Sequence, residues 1–124
     1  MKAENLMVGD WYYWEAEGKK YPLQVTKDTF SLSDEDISNF QPILITTEIL
    51  EKNGFRDTSF EQHKQQHYIV DTSEHILHYH TNLVSFSVYK KKEVLCCFLQ
   101  NNVQYVHELQ HALKLCGIDK EIIV

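Results

Sequence analysis

Residues 107–111 read His-Glu-Leu-Gln-His. Written as H-E-x-x-H, this is the spelling of a zinc-hydrolase helix. Histidines four apart share one helix face and can reach one zinc ion. The glutamate beside the first can then act as general base on a zinc-bound water. A catalytic zinc needs a third protein ligand, and the known zinc proteases usually supply it downstream. The longer form H-E-x-x-H-x-x-G-x-x-H fails, because Lys114 stands at the glycine position and Gly117 at the last histidine position. Thirteen residues follow His111, and neither Asp119 nor Glu121 has room for a second helix to carry it. At about 100° per residue, Tyr105, Val106, Leu109, Ala112, Leu113 and Cys116 fall in one apolar stripe. His107 and His111 fall roughly opposite it, with Gln104 and Lys114. Both imidazoles are therefore expected to face water, and no catalytic residue, metal or cofactor is assigned. A zinc hydrolase using His107 and His111 with Glu108 as base stands as the alternative.

The other histidines are His63, His67, His75, His78 and His80. His78 and His80, two apart on a predicted strand, project from one face. With His67 on a neighbouring strand, a three-histidine metal site is conceivable. The plainer reading makes Ile76, His78 and His80 the solvent side, with Leu77 and Tyr79 packed inward. Cys97 lies among these strands, but nothing in the sequence supplies a base to make it a nucleophile. There is no glycine-rich phosphate loop and no nucleophile elbow. The run Trp11-Tyr12-Tyr13-Trp14 is the best candidate for a protein-binding surface, since tryptophan and tyrosine anchor interfaces.

The elements that carry these residues follow from pattern. Residues 10–15 and 21–26 are β-prone around Ala-Glu-Gly-Lys-Lys and read as a hairpin. Asp34-Glu35-Asp36 reads as a solvated turn; it lacks the alternating carboxylates and tight glycine turn of a cation loop. Thr46 or Thr47 caps a short helix that Gly54 ends. Strands are predicted over 67–72, 76–81, 83–89 and 93–99, the last two joined across Lys90-Lys91-Lys92. In the third, Val84, Phe86 and Val88 alternate with a wet Ser85 and Ser87. The fourth is apolar on both faces and is expected to be central or covered. The last helix runs from about Val103 to Cys116, capped by Asn101 with Gln104 and ended by Gly117. The tail Ile122-Ile123-Val124 adds a strand or docks on the core.

Composition frames the whole. A chain of 124 residues, 43% hydrophobic and 24% charged, is expected to form one domain over 1–124 with one core. Its net charge of −6 disfavours nucleic acid and anionic membranes as partners. Three cysteines, two of them adjacent, do not make a secreted disulfide framework. The start lacks the apolar run of a signal peptide, so a cytoplasmic protein is expected.

Three stretches carry a resemblance. They are Met1-Lys2-Ala3 with Leu6 and Val8-Gly9-Asp10-Trp11; Pro42 to Thr46 running into Glu48 to Phe55; and Tyr105 to Gln110 with Ala112, Leu113 and Gly117. In these the chain resembles a family of small uncharacterised proteins of Bacteroidetes-type gut bacteria and their phages and mobile elements. The family pattern often has asparagine where this chain has His111, so the second zinc ligand is not a family feature. Together these readings give an α+β domain. It has an antiparallel sheet of about five to six strands, a short middle helix and a C-terminal amphipathic helix. The expected function is a non-catalytic accessory module that binds another protein, as an inhibitor of a host defence protein would. Small-ligand binding in a crevice between sheet and helix is a further alternative.

Overall fold

In a computed structural model, the chain is described over residues 6–58, 67–81, 83–92 and 95–124. The expected hairpin is present. β1 (Trp11–Ala16) pairs antiparallel with β2 (Lys19–Gln24), closing at Ala16 opposite Lys19. The two loop residues, Glu17 at φ 53° and Gly18 at φ 76°, are both left-handed. That is the two-residue turn whose twist matches the flanking strands, and glycine makes its second position easy.

After β2 the chain makes a 3-10 turn over Lys27–Ser31 and a short helix, α1 (Asp34–Ile37). The acidic patch is thus not an irregular turn. The Ser33 hydroxyl accepts the Asp36 N–H at 3.2 Å and donates to Asp36 Oδ2 at 3.0 Å, so Asp36 sits in the first turn of a short helix, where its charge is favoured. β3 (Phe40–Pro42) returns to pair with β1, giving a three-stranded antiparallel sheet in the order β2-β1-β3.

α2 (Thr47–Lys52) begins as its sequence requires, with the Thr46 hydroxyl accepting the Ile49 N–H at 3.2 Å. It ends on Gly54 at φ 86°, where the Phe55 N–H reaches back to the Leu50 carbonyl and the Gly54 N–H to that of Glu51. This is the glycine-terminated helix end, with Phe55 and Leu50 both buried behind it.

A second antiparallel sheet follows in chain order: β4 (Arg56–Asp57), β5 (His67–Asp71), β6 (His75–His80), β7 (Ser85–Lys90) and β8 (Leu95–Gln100). The fold is α+β, but its strands form two sheets of three and five rather than one of five to six. The division comes where α2 leads the chain away from β3 before the second set of strands begins.

Leu77 and Tyr79 of β6 and Phe86 and Val88 of β7 point inward. They bury against Leu50 of α2 and Val106, Leu109, Ala112 and Leu113 of α3 (Val106–Leu115). Each such side chain contributes roughly 1.5–3 kcal/mol by leaving water. Ile122 of the tail docks into the same core without forming a strand. A second cluster, Leu6, Tyr12, Val25, Ile37 and Phe40, lies under the three-stranded sheet.

Two strand expectations are corrected. Ser85 and Ser87 are buried, not wet. They are small, and their cross-strand neighbours His80, His78 and Leu99 close over them. β8, expected to be central or covered, is an edge strand. Its composition calls for cover, but a meander in chain order leaves its last strand paired on one side only among the described residues. Among the described residues, no helix is long and apolar enough to cross a membrane.

Candidate functional site

The H-E-x-x-H residues lie on the first turns of α3, and each is already engaged. The helix starts one turn later than expected, at Tyr105 rather than Asn101. Glu108 Oε1 accepts the backbone N–H groups of Tyr105 at 3.0 Å and Gln104 at 3.1 Å. Its carboxylate therefore caps the helix start from the third position of the turn, as in a capping box. It turns back along the helix and is not presented to a metal-bound water.

The imidazoles are half-buried against β1 rather than turned fully out to water. His111 Nε2 lies 2.7 Å from Oδ2 of Asp10, with the ring N–H donating to a carboxyl that is wholly buried. The same Oδ2 accepts the Met7 N–H at 3.0 Å. His107 stacks on Tyr12, ring centroids 4.9 Å apart, and also faces Tyr105 at 5.9 Å. The geometry behind this is simple. Residues two apart on a strand are about 6.6 Å apart along it, and residues four apart on a helix rise about 6 Å. Asp10 and Tyr12 thus present two groups at the spacing of His111 and His107. Asp-x-Tyr on the strand meets His-x-x-x-His on the helix, pair by pair.

Gln110 completes the seam. Its Oε1 accepts the Trp11 N–H at 2.9 Å and its Nε2 donates to the Gly9 carbonyl at 2.7 Å. β3 pairs with β1 only from Tyr12 onward, so these backbone groups lie beyond its reach. One side-chain amide stands in for a strand peptide across Asp10, which answers the demand that buried backbone groups be paired. The wheel separated an apolar ridge from a polar one correctly. It could not tell that the two histidines of the polar ridge also meet Asp10 and β1, because α3 touches both the five-stranded sheet's core and the three-stranded sheet.

Among the described residues, three buried polar atoms at the seam have no hydrogen-bond partner: Asp10 Oδ1, the Tyr12 hydroxyl and His107 Nδ1. Burial holds the Tyr12 phenol far above its ordinary range, with Asp10 and then Glu108 adding to the shift. Burial pushes the His107 imidazole down, the nearby His111 adds to this, and Glu108 and Asp10 oppose it. The seam is a polar joint between sheet and helix, and among the described residues no three His, Cys, Asp or Glu side chains are grouped to hold a metal ion.

The aromatic run is not an exposed patch. Tyr12 is wholly buried, so it cannot anchor an interface. Trp11 and Tyr13 pack against the main core and Trp14 against the smaller one. Trp11 Nε1 donates to the Ile122 carbonyl at 2.8 Å, tying β1 to the tail. Tryptophan and tyrosine serve cores as readily as interfaces, and alternation on a central strand divides them between two faces.

His63 and the side chain of His67 lie outside the described residues, so the three-histidine arrangement is described only at its β6 members. Leu77 and Tyr79 point inward as expected, and His78 and His80 share the outer face, half-buried, with ring centroids 6.5 Å apart. Burial lowers the affinity of His80 for a proton. Cys97 is exposed, its thiol directed at the Val88 carbonyl at 3.4 Å beside a bulge between Val88 and Tyr89.

The outer edge of β8 exposes Cys96, Cys97 and Leu99, the last at 64%. Leu95 to Gln100 contains no charge and no proline, the usual protections of an edge.

Comparison with protein families, curated proteins and solved structures finds no match to this chain.

Pattern reading missed Asp10 and Gln110. A usable signal existed: an aspartate before a β-prone aromatic run and a glutamine inside a helix facing an otherwise apolar core both need partners if buried.

Proposed function

We propose that this protein is a non-catalytic binding module that engages a protein partner through the edge of β8. The observation that carries this reading is an uncharged six-residue strand, apolar enough to be covered, left at the edge of a sheet with Leu99 and two cysteines exposed. An unpaired strand edge offers a row of backbone donors and acceptors to an incoming strand, with exposed side chains setting specificity. The engagement of Glu108 as a helix cap and of His111 by Asp10 supports a non-catalytic reading over a zinc hydrolase. The resemblance would make the module an accessory protein of a phage or mobile element and its partner a host protein.

Leu99→Lys tests the surface, with Leu115→Lys as control, since Leu115 is also exposed (76%) but lies on α3. Capture from host lysate under reducing conditions should retain one protein in near-stoichiometric amount. Leu99→Lys should lose it and Leu115→Lys should keep it. Retention of nothing, or equal loss in both variants, ends this reading.

A further inference from the structure

The turn between β5 and β6 and the turn after β7 lie at the same end of the five-stranded sheet. His75 stands directly opposite Lys90 in the β6–β7 register, and the Lys91 N–H donates to the Glu74 carbonyl at 3.1 Å. The first turn is fixed by its own contacts: Thr72 Oγ1 accepts the His75 N–H at 3.0 Å and donates to the His75 carbonyl at 3.2 Å. Between the two turns is a concavity of about 400 Å³ lined by Ser73, Glu74, His75, Lys90, Lys91 and Lys92. That volume lies within the range of small-molecule sites.

Three consecutive lysines would ordinarily be a charged hairpin turn. Two features argue for more. The chain carries a net charge of −6, yet among the described residues none of these ammonium groups lies within 4 Å of a carboxylate. The lysines also border a concave site whose walls are joined by a backbone hydrogen bond. Clustered cations without partners repel one another, and an anion entering the concavity is attracted by all of them together. Ser73 adds a hydroxyl donor and His75 an imidazole. Among the described lining residues Glu74 is the one acid, and its carboxylate opposes the field.

We propose that this pocket binds a small phosphorylated organic molecule, its phosphate held by the Lys90–Lys92 ammonium groups and its body lying along their aliphatic stems. The site is distinct from the β8 edge and does not depend on the partner reading.

The test is a titration of the full chain followed by backbone amide chemical shifts, with glucose 6-phosphate, inorganic phosphate and glucose as probes. Glucose 6-phosphate should shift the Ser73–His75 and Lys90–Lys92 amides saturably, and less so in high salt. Glucose should shift none of them. Inorganic phosphate should bind the same amides more weakly. If it binds as tightly as the sugar phosphate, the organic body makes no contact and the proposal fails. The double variant Lys91→Glu/Lys92→Glu should weaken binding by about tenfold or more, as expected for the loss of charge-assisted contacts. Lys19→Glu/Lys20→Glu, the same charge change on β2, should weaken it by less than about twofold. Glu74→Gln should tighten binding, a gain that misfolding cannot mimic. No saturable shift, equal loss in both lysine pairs, or no gain with Glu74→Gln would overturn the proposal.

Discussion

At the scale of single residues, the two histidines of the zinc-like motif make contacts within the fold that their spacing does not announce. His111 meets one oxygen of a buried carboxyl, and His107 is an aromatic surface on which Tyr12 rests. Burial lowers the proton affinity of His107 in the fold relative to the unfolded chain. As pH falls through the ordinary histidine range near 6.5, the unfolded chain therefore takes up a proton that the folded chain refuses. The stabilising contribution is present above that range and is lost toward the lower folded value. His80 shifts in the same direction. His107→Phe keeps a ring for the stack and removes the His107 titration. Urea midpoints measured between pH 7.5 and 5 should fall with acid in the parent and fall less steeply in the variant. Parallel slopes would show that His107 is not refusing a proton.

At the scale of elements, α3 is held by its ends and by one amide. Its far end closes on Gly117 at φ 67°, where the Ile118 N–H reaches the Leu113 carbonyl, repeating the ending of α2. Its near end depends on Glu108. Glu108→Ala should lower unfolding free energy by about 0.5–2 kcal/mol, the usual size of a lost cap. A catalytic base would behave differently, since its removal abolishes turnover and leaves stability nearly unchanged. Gln110→Ala should lower unfolding free energy by about 1–3 kcal/mol, because it leaves the Trp11 N–H buried without an acceptor. The Gly9 carbonyl keeps the Gln24 amide at 3.1 Å, which holds the loss below that of two orphaned groups. Denaturant unfolding measures both, and a loss under about 0.5 kcal/mol for Gln110→Ala would mean that the amide does not carry the joint.

At the scale of the whole molecule, two sheets are joined through one helix, and the five-stranded sheet ends, among the described residues, on an unpaired β8 edge. Leu99→Lys, which tests that edge for partner binding, should leave unfolding free energy within about 0.5 kcal/mol of the parent, as an exposed substitution does. Local signals were enough for several elements: a hairpin turning around Gly18, Thr46 and Gly54 at the two ends of α2, and the inward alternation of Leu77 with Tyr79 and of Phe86 with Val88. Such features depend on a few neighbouring residues, so the chain alone determined them, along with the α+β class that their order implies. Three others depend on elements far apart in the chain, and only the tertiary structure decided them. β8 is an edge because of strand order, not because of its own residues. Ser85 and Ser87 are covered by side chains from neighbouring strands. Asp10 meets His111 across 101 positions, and a helical wheel drawn on one segment has no means of knowing that a strand from the other end of the chain lies against its polar side.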